Sequence, residues 1–142
     1  KSPLKEKNKT GKAYLSSKQY QMKISNPLAV LGEDLACEHL RKKGYKIIDR
    51  NFRKGYGEID IVAVYKGVVV FIEVKTRTSN NFGTPFESIT SSKIRTLTRT
   101  AEFYKMTNPK LPDAMRLDAI AIVINRTNQL EGIEHIENIS PN

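Results

Sequence analysis

Gly57-Glu58-Ile59-Asp60-Ile61-Val62-Ala63-Val64-Tyr65, then Lys66-Gly67, then Val68-Val69-Val70-Phe71-Ile72-Glu73-Val74-Lys75-Thr76-Arg77, decides how the chain folds. Two apolar, β-branched runs flank a Lys-Gly pair, which reads as two strands joined by a tight hairpin. With Lys66-Gly67 as the loop, Tyr65 opposes Val68. Counting back along both strands then brings Asp60 across from Glu73, and Glu58 across from Lys75. A four-residue loop keeps this pairing, and a three-residue loop reverses it. Side chains alternate along a strand, so Glu58, Asp60, Glu73 and Lys75 are expected on one face. Opposed Cβ atoms sit about 4.5–5.5 Å apart, and like charges placed there cost stability. A divalent cation between Asp60 and Glu73 removes that cost, because hard cations prefer carboxylate oxygens. The alternative is a solvated strand end, with Glu58 paired to Lys75 and the acids facing water.

The rest of the chain bounds the answer. It has 142 residues, 39% hydrophobic and 27% charged, enough for one domain with a core. The only cysteine, Cys37, excludes an internal disulfide and reads as inert filling in an apolar helical pattern. One cysteine and two separated histidines, His39 and His135, make a poor zinc set. No apolar run is long enough to span a membrane, and no signal peptide pattern is present. The expectation is a cytoplasmic protein. The net charge of +9 is uneven. Residues 1–26 hold seven Lys and one Glu, a net of +6; the other 116 hold 17 basic and 14 acidic groups, a net of +3. Residues 1–25 are expected to be a basic flexible tail with one short helical turn near Tyr14–Tyr20, and 26–142 the domain. Such a tail suits a polyanion; its other reading, the first to consider for the tail alone, is a merely solvated disordered segment.

Asn26-Pro27 opens a helix as N-cap and first helical residue, and Gly44 ends it. Glu33 falls between Leu40 and Cys37 at the edge of the apolar arc. A carboxylate there needs a partner or a cation; its other reading is a first-turn acid favouring the helix dipole. Gly32 beside it predicts close packing against a neighbour. Residues 45–53 read as a strand, 54–57 as a turn and 78–85 as a loop beside the charged end of the hairpin. Thr90-Ser91-Ser92 caps a second helix reaching about Asn108. Its Lys93, Arg95, Arg99 and Lys105 form a solvated or a phosphate-contacting face, with Lys93 near the anion-attracting helix N-terminus. Residues 113–125 read as an apolar strand on which Arg116 and Asp118 share a face. Leu130–Ile139 returns as an edge strand.

The order α-β-β-β-α-β-β, with Asp60 opening the hairpin and Glu73-Val74-Lys75 closing it, resembles the restriction-endonuclease-like nuclease fold: α/β, a central mixed sheet flanked by helices. Gly32-Glu33, Gly57-Glu58-Ile59-Asp60, the stretch from Phe71 to Arg77, Lys93 and Arg116-Leu117-Asp118 together resemble the bacterial YraN family, which is similar to archaeal Holliday-junction resolvases. The resemblance covers about residues 29–124. Leu117 stands where the family usually has an aromatic residue. The resemblance implies a metal-dependent DNA endonuclease acting on branched or structured DNA. Asp60 and Glu73 would ligate Mg²⁺ or Mn²⁺ with the carbonyl of Val74, Glu33 would complete the metal shell or support a second ion, and Lys75 would orient the attacking water. Arg77, Lys93, Arg95 and Arg99 would contact phosphates. A homodimer follows by analogy with resolvases, and no small-molecule cofactor or membrane partner is expected. The rivals are a non-catalytic nucleic-acid-binding module, or a partner of a recombination or DNA-uptake factor that keeps the nuclease fold.

Overall fold

The computed structural model describes residues 6–7, 13–14, 26–55, 57–79, 86 and 89–140. In chain order the elements are β1 (Glu6–Lys7), β2 (Ala13–Tyr14), α1 (Pro27–Lys42), β3 (Lys46–Lys54), β4 (Gly57–Tyr65), β5 (Val68–Thr78), α2 (Ser91–Thr107), β6 (Met115–Ile124) and β7 (Leu130–Ile136). β1 and β2 form a two-residue antiparallel pair of their own. The expected turn near Tyr14–Tyr20 lies, past Tyr14, outside the described residues, as do 80–85 of the expected loop.

The helix ends follow from their residues. The Asn26 side chain accepts from the Ala29 amide at 3.3 Å, and Pro27 begins the helix. Gly44, at φ 93, reverses the chain after Lys43, and the Tyr45 amide donates to the Leu40 carbonyl at 3.0 Å. Thr90 caps α2 by accepting from the Lys93 amide at 3.1 Å.

β3 to β7 form one mixed sheet in sequence order. β5 and β6 are parallel, joined through α2, and the other neighbours are antiparallel. Lys66 and Gly67 both have positive φ, as a two-residue hairpin with the right twist requires. The register is the expected one from Tyr65↔Val68 to Ile61↔Ile72. β5, central in the sheet, is buried on both faces, which explains its unbroken apolar run. On one face Ala36, Cys37 and Leu40 of α1 pack on Ile61, Ala63, Val70, Ile72, Ile120, Ile122 and Ile124. On the other, Leu97, Ala101 and Tyr104 of α2 pack on Ile59, Val62, Val69, Phe71 and Leu117. The Tyr104 ring stands edge-on to Phe52 and Phe71, at 4.9 and 5.8 Å between centroids.

A buried polar clamp ties β7 to β6. Asp118 has no exposed surface. It accepts from Arg116 Nε and Nη2 at 2.8 and 2.9 Å, from His135 at 2.7 Å and from the Asn138 amide at 2.9 Å. Arg116 also donates to the Tyr45 hydroxyl at 2.8 Å, and Tyr45 stacks on Tyr65 with ring centroids 4.0 Å apart. The expected Arg116–Asp118 pair is therefore present, inside a larger network. Among the described residues no helix is long and apolar enough to cross a membrane.

Candidate functional site

The hairpin pairing stops one residue short of the acids. The β4–β5 register ends at Ile61↔Ile72. At the next position the Val74 amide donates to Asp60 Oδ2 at 2.8 Å, so a side chain takes the place of a strand partner. Asp60 thus points along the sheet toward β5, not out from a face.

The neighbouring strand shows how this is achieved. β3 and β4 pair at Arg50↔Ile61 and again at Phe52↔Ile59, leaving Asn51 and Asp60 between. Arg50 and Ile61 belong to the α1 side, since Arg50 reaches Asp34 of α1 and Ile61 lies in the α1 core. Phe52 and Ile59 belong to the α2 side. The strand pair therefore rolls over at this point. Asn51 absorbs the roll with φ 54, a left-handed conformation that asparagine tolerates better than most residues. It is 3% exposed, and its Oδ1 has no hydrogen-bond partner among the described residues. Gly57 makes the roll fit against α2, because a Cβ there would meet Thr100 Oγ1 at 2.5 Å and Thr96 Cγ2 at 2.8 Å.

Three acids converge here from three directions. Glu33 comes from α1, Asp60 from the parting of β4 and β5, and Glu73 from β5. Glu33 and Glu73 are each 5% exposed. Gly32 brings α1 this close: a Cβ on it would meet Thr76 Oγ1 of β5 at 1.8 Å. The predicted close packing is thus helix against strand. Burial first, then the charges of Glu73 and Glu33, push the Asp60 carboxyl well above the usual carboxylate range; the Val74 amide opposes the shift, and Glu58 adds a smaller push.

Cations are distributed around these acids. Lys75 Nζ and Lys93 Nζ each lie 3.5 Å from the same oxygen of Glu73, Oε1. Arg50 lies 3.9 Å from Glu33 and 2.8 Å from Asp34. Glu58 does not face Lys75 as the extended register predicts. It pairs with Arg53 across β3 at 3.2 Å, because the strands have already parted at Asp60. Its Oε1 is buried without a hydrogen bond among the described residues. Among the described residues no three acids or imidazoles close into a ready cage for an ion; lysines occupy the approach to Glu73 instead.

Of the residues expected to touch phosphates, Lys93 sits on Glu73. Arg77 continues β5 beyond Lys75 and is partly exposed, and Arg95 and Arg99 are exposed on α2. Sequence reasoning missed Arg50 and Arg53 as partners of Glu33 and Glu58, and it missed Asn51. An asparagine inside a predicted strand was the one available signal, since that residue favours left-handed backbone.

The chemistry of the donor set suits a hard divalent cation. Carboxylates gathered where burial and one another's charges disfavour ionisation become favourable together when a cation lies between them. Oxygen donors with no cysteine or histidine fit Mg²⁺ or Mn²⁺ better than Zn²⁺.

Residues 32–122 match the family described as "Uncharacterised protein family UPF0102", a span that opens on Gly32-Glu33 and closes within β6. A UPF0102 protein of Syntrophomonas wolfei subsp. wolfei is 42% identical over 71% of this chain and 88% of its own length. One from Persephonella marina is 43% identical over 75% of this chain and 87% of its own. One from Thermotoga petrophila is 45% identical over 75% of this chain and 91% of its own. None of these names states an activity.

Proposed function

Since the chain belongs to the UPF0102 (YraN) family, whose description names no activity, we propose its function from the site: a metal-dependent DNA endonuclease that hydrolyses phosphodiester bonds in branched or structured DNA. The observation that carries the reading is the convergence of buried Glu33 and Glu73 on Asp60, whose carboxyl is driven above its usual range, with Lys75 beside Glu73. A fold gains nothing in stability from such a cluster, and perturbed acids gathered at one spot mark functional sites.

Asp60, Glu73 and the Val74 carbonyl would hold Mg²⁺ or Mn²⁺, with Glu33 completing the set. When bound, the ion supplies a water nucleophile at neutral pH and charge for the phosphoryl oxygens. The chain's own residues do the rest. Lys75, held by Glu73, donates to the attacking water and steadies the charge that grows on the phosphate. Asp60, fixed by the Val74 amide, cannot swing away. Arg50 holds Glu33 toward the centre. Arg77, Arg95, Arg99 and the basic residues 1–25 bind the DNA backbone, which gives affinity without base specificity. The protein would act on DNA in the cytoplasm, and cutting two strands of a junction would call for a homodimer.

The test is a panel of linear, nicked, flapped and four-way DNA incubated with Mg²⁺ or Mn²⁺, with Asp60→Asn alongside. Metal-dependent cutting of at least one branched substrate, lost in Asp60→Asn, is expected. Binding without any cutting would make the chain a nucleic-acid-binding module. Equal cutting by the variant would place the nuclease elsewhere.

A further inference from the structure

Two lysines on one carboxylate oxygen is more than Glu73 needs. Lys75 comes from the same strand, two residues along, and its side chain is 24% exposed. Lys93 comes from the first turn of α2, beyond the intervening loop, and is 38% exposed. Its backbone is fixed, since its amide donates to Thr90 Oγ1, but its side chain has four methylenes on which the ammonium can pivot. The first turn of α2 contains no acid, so a cation there opposes the helix dipole. Lys93 therefore gains little from its own helix and depends on Glu73.

We propose that Lys93 is a placeholder cation: it neutralises Glu73 while the metal is absent, and when a divalent ion takes Glu73 it moves to a phosphate of the bound DNA at the α2 N-terminus. The proposal rests on the metal-site reading above. Lys75 stays because its strand holds it next to Glu73, whereas Lys93 is free to swing outward. Its destination is favourable, since a phosphate at a helix N-terminus meets amides as well as the ammonium. Metal and DNA binding are thereby coupled: the ion displaces Lys93, and the displaced charge strengthens the grip on the substrate. Lys93 acts here as a positioning residue in the free protein and a substrate contact in the complex.

The experiment uses the full chain, Lys93→Gln and Lys93→Arg, each checked by melting temperature. Mn²⁺ affinity is measured by calorimetry without DNA. Affinity for a short labelled DNA duplex is measured against salt, in EDTA and in Ca²⁺, with duplex integrity checked on gels. Lys93→Gln should bind Mn²⁺ roughly two- to fivefold tighter, the range spanned by partly exposed ion pairs. In Ca²⁺ the salt slope of the wild type should exceed that of Lys93→Gln by about 0.9, the contribution of one phosphate contact. In EDTA the two slopes should agree, and Lys93→Arg should behave as wild type in both. Equal slopes in both conditions would mean that Lys93 never reaches a phosphate and would overturn the proposal. A slope difference already present in EDTA would overturn it too, since Lys93 would then contact DNA without leaving Glu73. If Mn²⁺ binds with an affinity that Asp60→Asn lowers but Lys93→Gln leaves unchanged, the metal site stands and the placeholder fails. If no Mn²⁺ binds to the wild type, both fail.

Discussion

Gly32→Ala tests how α1 is seated, and through it how Glu33 reaches the other acids. The added carbon would lie 1.8 Å from Thr76 Oγ1 and 2.9 Å from both Cβ and Cγ2 of that residue. Ordinary contact begins near 3.4 Å, so α1 must retreat from β5 by about 1.6 Å unless Thr76 moves. Turning Thr76 about χ1 does not clear the space, because its Cβ stays where it is. Overpacking of this kind costs about 1–3 kcal/mol. Alanine recovers about 0.5–1 kcal/mol of helix propensity over glycine. The expected net loss is about 1–2 kcal/mol, read as a lower urea midpoint at unchanged m. Thr76→Ala removes Oγ1 and Cγ2 and leaves only the Cβ at 2.9 Å, so in that background the required retreat falls to about 0.5 Å and the same substitution should cost under about 1 kcal/mol, a coupling that a double-mutant cycle resolves. Glu33 follows Gly32 on the helix, so Mn²⁺ affinity should fall in Gly32→Ala and recover in the double variant. Stabilisation by Gly32→Ala in both backgrounds, as at an open helical glycine, would refute the packing argument.

Asp60→Asn keeps an acceptor for the Val74 amide and removes a charge that burial, Glu73 and Glu33 all disfavour. Cleavage should drop by orders of magnitude, while metal-free stability holds or rises and DNA affinity in EDTA is retained. A large loss of melting temperature would show that the ionised carboxylate is structural. The same shift sets a pH dependence. A carboxyl raised in the folded state stabilises while protonated, so the metal-free protein should gain stability as pH falls from neutral toward the ordinary aspartate range, and Asp60→Asn should lack this gain. Asp118 behaves oppositely: burial raises it, but the hydrogen bonds from His135, Arg116 and the Asn138 amide outweigh that and hold it low. Its contribution is complete above the ordinary aspartate range and is lost progressively as pH falls from that range through its lower folded value. Asp118→Ala strips the acceptor from Arg116 and His135 and should cost about 3 kcal/mol by thermal or urea unfolding; a loss under about 1 kcal/mol would contradict the clamp. Deleting residues 1–25 should weaken DNA binding and flatten its salt dependence while the melting temperature stays put, whereas unfolding would show that the tail packs on the domain.

Much of this was legible because local rules decide it. Lys66-Gly67 sits between alternating β-branched runs, and that alone gives the hairpin and its register as far as Ile61 and Ile72. Asn26-Pro27, Gly44 and Thr90 mark helix ends through hydrogen bonds spanning three to five residues. Gly32 signalled a close approach, though not to Thr76. The site was legible in its residues but less so in its geometry. Extending the hairpin register placed Asp60 and Glu58 as strand-paired side chains. The strands had instead parted, because a carboxylate satisfies a backbone amide as well as a carbonyl does. No periodicity encodes that choice. The ion pairs of Arg50, Arg53 and Lys93 join residues that only the packed sheet brings together, and exposed-looking basic side chains carry no mark of the acid they will meet. The His135–Asp118 contact was hidden for the same reason.

The hydrogen bond from Val74 to Asp60 gives this protein a spectroscopic gauge of its own. A backbone amide held by a carboxylate has a proton resonance that moves with the charge on that carboxylate, and this one belongs to the central strand of the sheet. An isotope-labelled sample would report through a single cross-peak when Asp60 gains or loses its proton. It would do so with no DNA present and no bond broken, so occupancy of the acid cluster can be followed separately from any activity.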